Sequence, residues 1–373
     1  MIRTLAFAGY RSLRNLVVEV GPLTAITGGN GTGKSNVYRA LKLLVDAADG
    51  QLARALAREG GMPSAMWAGE PAKKVRASEG KRLSIGFADD AIAYELRLGL
   101  PKEKETAFRL DPVVKEETLR TVTKPKVNLL ERRNRSAMLR DGDGRPVTFG
   151  AQIDESESVL SQLAEPHRYP VLSTVRERLR RWRFYHQIRT DPDSPVRAVQ
   201  VGTRTPVLAH DGHDLAAVMQ TIIEIGDDRA LAAAVADAFD GACIEIASGD
   251  DARFRLELHT PGVFRPLEAA ELSDGTLRYL ALLAALHTPR PPELLVLNEP
   301  ETSLHPRVLE PLARQIVAAA ARSQVIVVSH AAPLVDAICT GRGTTRIELA
   351  KSEGATIVAG RSHLDEPPWK WTT

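Results

Sequence analysis

The stretch Gly28-Gly29-Asn30-Gly31-Thr32-Gly33-Lys34-Ser35 decides the fold class. It fits G-x-x-x-x-G-K-[ST] at every constrained place. Just upstream, Leu23-Thr24-Ala25-Ile26-Thr27 is a short apolar run of the kind buried as a strand. Downstream, Ser35 to Ala48 carries Val37, Leu41, Leu44 and Val45 at helical spacing. A strand that ends in glycines and reopens as a helix is the setting in which this motif holds phosphate. Glycines let successive backbone N–H groups point into one concavity. The helix beginning near Ser35 adds the positive end of its dipole. Lys34 then reaches the β- and γ-phosphates, and the Ser35 hydroxyl ligates Mg²⁺. ATP with Mg²⁺ is the expected ligand pair, on Gly28, Asn30, Gly31, Thr32, Gly33, Lys34, Ser35 and Asn36.

Many folds carry this loop, so the rest of the chain must narrow it. Leu294-Leu295-Val296-Leu297-Asn298-Glu299-Pro300-Glu301 is an apolar run that ends in polar residues. That is Walker B patterning, a buried strand delivering a carboxylate toward Mg²⁺ and water. Upstream stands Leu272-Ser273-Asp274-Gly275, an L-S-x-G signature. Downstream, Val325-Ile326-Val327-Val328-Ser329-His330 puts a histidine at another strand's end. In this order and spacing the set resembles the ATP-binding-cassette superfamily, in its soluble RecF, SMC and OLD-like branch. Leu5-Ala6-Phe7-Ala8-Gly9-Tyr10-Arg11-Ser12-Leu13 matches that branch too. Asn298-Glu299-Pro300-Glu301-Thr302-Ser303-Leu304-His305-Pro306 and Trp182-Arg183-Phe184-Tyr185-His186 resemble its compact bacterial RecF-like ATPases.

The resemblance implies an α/β P-loop NTPase: an ABC/SMC-type head with a central, largely parallel sheet, an antiparallel β subdomain and a helical insertion. It implies an ATP-dependent homodimer in which Ser273 and Gly275 of one copy contact the γ-phosphate held by the other. Glu299 would position or deprotonate the attacking water, and His330 would hydrogen-bond the γ-phosphate. Lys34, Glu299 and His330 are thus the catalytic set, and Ser35, Asn298 and Glu299 the metal ligands. Asn298 stands where the family has aspartate. An amide oxygen without the charge points to a slow ATPase, with a nucleotide-binding pseudo-enzyme as the other reading. Glu301 is open between supporting Glu299, binding a second metal and capping a helix. His305-Pro306 reads as a helix start, since Pro suits the first turn. No Q-loop glutamine is found between Gly60 and Trp67.

The resemblance covers both ends and thins in the middle. Residues 1–69 read as the N-terminal part of the core and 241–373 as its C-terminal part. Residues 70–150 read as an antiparallel β arm with hairpins at Asp89-Asp90 and Asp141-Gly142-Asp143-Gly144. Within it, the charged middle from Pro101 to Arg135 is expected to be mobile. Residues 151–240 read as a helical lobe, helical from Glu155 to Arg183 with breaks at Pro166 and Pro170. The tail from Lys351 reads as an edge hairpin that then frays.

Composition removes other classes. In 373 residues no apolar run approaches a membrane span, the densest being Tyr279 to Leu286. Met1-Ile2-Arg3 leads into a strand pattern, not a signal peptide. Two cysteines, Cys243 and Cys339, give no metal spacing and no disulfide framework, so a reducing cytoplasm is expected. SMC arms need heptads, which are absent, and 43 residues after His330 are too few for an OLD nuclease domain. The net charge is only +2, yet Arg176, Arg178, Arg180, Arg181 and Arg183 crowd beside Trp182, Phe184 and Tyr185. Arg132, Arg133 and Arg135 form a second cluster. Either these grip DNA phosphates while the aromatics stack on bases, or they pair with acids such as Glu177. Two functions follow: an ATPase acting on DNA, in repair, recombination or defence, or a sensor ATPase regulating a protein partner encoded nearby.

Overall fold

The structure is a computed structural model describing residues 1–69, 82–101, 107–150, 153–163, 165–341, 343–362 and 365–371. The chain divides into two compact units. Met1–Gly21, Ile26–Trp182 and Ile347–Thr373 form the first, and Pro22–Ala25 with Arg183–Arg346 the second.

The first unit holds β1 (Ile2–Tyr10), β2 (Leu13–Glu19), the end of β3 (Leu23–Gly28), β4 (Leu83–Asp89), β5 (Ile92–Gly99), β6 (Val113–Thr121), β7 (Asn128–Arg133), β8 (Ser136–Arg140) and β9 (Pro146–Phe149). Apart from β3 these make one eight-stranded antiparallel sheet, ordered β2–β1–β4–β5–β6–β7–β8–β9. The strands of the expected arm therefore continue the sheet begun at β1, with Leu5 opposite Phe87. Phe87 and Tyr94 face each other across β4 and β5, and Trp182 meets Phe87 edge-on at 5.4 Å. The helices Lys34–Ala48 and Pro170–Arg180 bury apolar stripes in this unit.

Two expectations change here. The charged segment before Arg135 contains β6 and β7, because its charges pair across strands. Glu116 bonds Arg82 and Arg97, and Glu95 meets Arg120 at 2.9 Å. Glu155 to Arg183 is not one broken helix. A single turn covers Val159–Gln162, and the longer helix begins at Pro170, whose fixed φ suits a first position.

The second unit begins with β10 (Arg183–Tyr185), β11 (Gln200–Val201), β12 (Cys243–Ser248), β13 (Arg253–His259) and β14 (Leu267–Glu268), followed by β15 (Leu294–Asn298) and β16 (Gln324–Val328). β10, β15 and β16 run parallel, with Phe184 opposite Val296 and Val296 opposite Ile326. β15 and β16 are buried throughout, which explains their unbroken apolar runs. Helices Leu215–Ile225, Asp228–Ala238, Asp274–Leu286 and Leu309–Ala319 pack a shared core that includes Leu283 and Ile316.

The C-terminal hairpin is β17 (Thr344–Ser352) and β18 (Ala355–Val358), with Leu349 opposite Val358. Among the described residues of the tail beyond it, two tryptophans pack on the first unit. Trp369 lies so close to Gly86 that a Cβ there would stand 2.5 Å from its ring. Arg97 stacks over Trp371 at 5.8 Å.

Candidate nucleotide site

The phosphate loop lies in the first unit. β3 ends at Gly28 and the helix starts at Lys34. Gly28, Gly31 and Gly33 have φ of 147°, 77° and 104°, which side-chain-bearing residues rarely adopt. Gly28 also leaves no room, since a Cβ would stand 2.3 Å from the Leu349 carbonyl oxygen. Lys34 is buried, its Nζ donating to the carbonyls of Gly28 and Gly29 at 2.7 and 2.8 Å. Thr32 Oγ1 donates to the Gly29 carbonyl at 2.9 Å. Asn30 and Gly31 are exposed at the tip, and Ser35 and Asn36 are half-buried. Sequence reasoning missed a second layer. Asn36 Nδ2 donates to Ser12 Oγ at 2.9 Å, and Ser12 Oγ lies 2.7 Å from Thr356 Oγ1. Thr356 Oγ1 donates to the Thr32 carbonyl at 2.7 Å. Thr356 had no motif to mark it.

The second unit brings together Asn298, Glu299, Glu301 and His330. β15 ends at Asn298, and Glu299 follows with φ of 52°. A left-handed glutamate costs strain and persists only when its surroundings fix it. Here its N–H donates to the Val328 carbonyl at 2.7 Å, tying it to β16. His330 Nδ1 lies 3.9 Å from Glu299 Oε1. Asn298 is 2% exposed. Its Nδ2 sits 2.8 Å from His186 Nδ1, which also lies 3.2 Å from the Asn298 carbonyl oxygen. Asn298 Oδ1 is buried and, among the described residues, accepts no hydrogen bond. An unpartnered hard oxygen fits Mg²⁺, as do a serine hydroxyl and a carboxylate.

Glu301 has a defined place. Its Oε1 accepts from Ser329 Oγ at 2.7 Å, His330 N at 3.0 Å and Ala331 N at 3.2 Å, and lies 3.3 Å from His330 Nδ1. It holds the loop that carries His330. Among the described residues no group of three or more His, Cys, Asp or Glu side chains could hold a metal ion. Glu301→Ala strips Ser329 Oγ and His330 N of their acceptor, whereas Glu301→Gln keeps an oxygen in place. Phosphate release is expected to fall about tenfold in the alanine variant and stay near wild type in the glutamine variant. Equal turnover in all three proteins would show that the loop stands without Glu301.

The signature is mounted on the same unit. Ser273 caps the helix Asp274–Leu286, its Oγ accepting from Thr276 N at 3.1 Å, and it is exposed. Gly275 is pressed against the turn after Glu299, where a Cβ would stand 2.7 Å from the Ser303 carbonyl oxygen. Arg278 donates to the Thr302 carbonyl at 2.8 Å and to Ser303 Oγ at 3.2 Å. Arg197 donates to the Leu272 carbonyl and to Asp274 Oδ1, each at 2.8 Å. His305 accepts from Arg307 N and Pro306 opens a helical turn.

Arg132, Arg176, Arg178 and Arg180 of the two arginine clusters are engaged locally. Arg178 pairs with Asp89 at 2.7 Å, Arg180 with Asp49 at 2.7 Å and Arg176 with Glu177 at 3.3 Å. Trp182, Phe184 and Tyr185 are 1%, 3% and 2% exposed, so they are core residues and cannot stack on bases. Arg132 is fully buried against Glu117 at 3.6 Å.

A family model described as "AAA domain, putative AbiEii toxin, Type IV TA system" matches residues 23–336. The chain belongs to this AAA-domain family. Similar solved structures include an Smc head bound to the C-winged helix domain of ScpA, at 16% identity over 96% of each chain, TM-score 0.54. A Pyrococcus furiosus Smc head with an extended coiled coil, bound to the C-terminal domain of ScpA, is 14% identical over 96% of this chain and 95% of that one, TM-score 0.54. A Pyrococcus yayanosii Smc head with a coiled coil and joint is 11% identical over 98% of both, TM-score 0.52. At these identities the likeness establishes the fold. No curated protein matches the sequence. The protein is thus an AAA-domain protein whose fold is similar to that of Smc heads. Among the described residues no helix is long and apolar enough to cross a membrane.

Proposed function

We propose that this ATPase binds Mg·ATP, dimerises head to head around it, hydrolyses it slowly and relays the cycle to a protein partner. The observation that carries this is the exposed, rigidly mounted N-terminus of the helix Asp274–Leu286. A 13-residue helix offers the positive end of its dipole there, with Ser273 as hydroxyl donor. In the dimer, Ser273 and Gly275 meet the γ-phosphate of ATP held by the partner copy. Lys34 and the loop N–H groups hold the phosphates, Glu299 orients and deprotonates water, and His330 hydrogen-bonds the γ-phosphate. Mg²⁺, when bound, neutralises charge on the phosphates, with Ser35, Asn298 and Glu299 as oxygen ligands. Asn298 supplies an oxygen without a charge, which supports slow turnover.

The pairing of Arg132, Arg176, Arg178 and Arg180 with acids favours a protein client over DNA. The Smc heads titled as bound to ScpA domains support the same choice. Two free cysteines suit the cytoplasm.

Size-exclusion with light scattering tests this directly. Glu299→Gln with Mg·ATP is expected to double its mass and the nucleotide-free protein to remain a monomer. Duplex DNA is expected to leave both elution volumes unchanged. A monomer with ATP would sink the dimer. A salt-sensitive, ATP-dependent shift with DNA would replace the protein client by nucleic acid.

A further inference from the structure

We propose that Thr356 and Ser12 are positioning residues for nucleotide binding, turning one peptide plane of the phosphate loop so that its N–H is offered to phosphate. The proposal rests on the nucleotide-binding reading and names how the loop is set.

The direction of each hydrogen bond follows from proton count. Thr356 Oγ1 donates to the Thr32 carbonyl at 2.7 Å, which uses its only hydrogen. Ser12 Oγ, 2.7 Å away, must therefore donate to Thr356 Oγ1. Ser12 Oγ in turn accepts from Asn36 Nδ2 at 2.9 Å. The relay runs Asn36 to Ser12 to Thr356 to Thr32, and each bond polarises the next. Thr356 is 1% exposed, and its own N–H donates to the Ser12 carbonyl at 2.8 Å, so the hydroxyl is fixed from both ends.

The consequence lies in peptide geometry. In a planar trans peptide the carbonyl of Thr32 and the N–H of Gly33 point in opposite directions. Holding the carbonyl on Thr356 turns the Gly33 N–H away from the hairpin. The approach is tight enough to exclude other residues. At Gly33, with φ of 104°, a Cβ would stand 2.1 Å from Thr356 Oγ1 and 2.7 Å from Ser12 Oγ. Gly33 is thus required by the hairpin as well as by its backbone angle. Asn36, expected to touch nucleotide, spends one of its two amide hydrogens on this relay.

The test uses the full chain and calorimetric titration with ATP, ADP and inorganic pyrophosphate. Thr356→Val keeps the shape and loses the hydroxyl; Thr356→Ser keeps the hydroxyl. The valine variant is expected to bind all three ligands about tenfold more weakly, with serine at wild-type affinity and both melting near wild type. Ser12→Ala, which breaks the relay one step earlier, is expected to cost about threefold. Wild-type affinity in the valine variant would overturn the proposal, as would a loss that serine does not rescue. Absence of ATP binding by the wild type would instead overturn the nucleotide reading, and the proposal with it.

Discussion

Glu299→Gln is expected to lower phosphate release by about two to three orders of magnitude while ATP still binds. The amide keeps the size and hydrogen-bonding reach of the carboxylate but cannot take a proton from water. Nothing in the substitution disturbs the backbone that aims the side chain. Glu299 holds φ of 52° through its N–H bond to Val328, which any residue can make. Binding by Lys34 and the glycine loop does not depend on this carboxylate. The split between turnover and affinity is therefore the signature to measure, by released phosphate and by titration with ATP. Equal release from both proteins would remove Glu299 from the chemistry, and no release from wild type would identify a pseudo-enzyme.

Glu117→Ala is expected to destabilise the first unit by about 3–5 kcal/mol. Glu117 and Arg132 are both fully buried. Glu117 accepts from Tyr94 OH at 2.9 Å, Ser158 Oγ at 2.7 Å and Val159 N at 2.9 Å. Arg132 donates to the carbonyls of Asn134, Asp154 and Glu157. Burial pulls the Arg132 guanidinium below its ordinary value, and Glu117 opposes that shift. Burial, then Glu117, pushes the Tyr94 hydroxyl well above its own. Removing the carboxylate leaves a buried cation without its counter-charge. Adding Arg132→Met to Glu117→Ala removes that cation and is expected to recover part of the loss. Urea unfolding of the two variants measures both steps. A loss under about 1 kcal/mol in the single variant would mean that water or a new partner reaches Arg132.

The parts of the site built on local pattern were legible. The glycine loop, the apolar strand ending at Asn298 and the Ser273 helix cap are each written in a few consecutive residues. Their family followed from order along the chain. Glu301 was left among three roles because its donors Ser329, His330 and Ala331 lie on a different strand's end. The partners of the arginines were hidden for the same reason. Arg178 finds Asp89 and Arg180 finds Asp49 across long separations that spacing alone does not reveal. β6 and β7 were hidden because Glu116, Glu117, Arg120 and Arg132 break the alternation that marks a strand. They are tolerated because each meets an opposite charge on a neighbouring strand. Trp182, Phe184 and Tyr185 read as exposed through their basic neighbours, whereas the aromatic rings are core.

The hydroxyl that fixes the Thr32 carbonyl arrives 324 residues after it. A ribosome therefore releases the glycine loop long before the residue that aims it. During synthesis the loop is present but unset, and it gains its final geometry only when β17 and β18 close on the unit that begins the chain. Contacts of such separation form late, after the cost of closing the intervening chain has been met. Competence for ATP is thus tied to synthesis having passed Thr356. Stalled or shortened nascent chains would carry the motif without its grip.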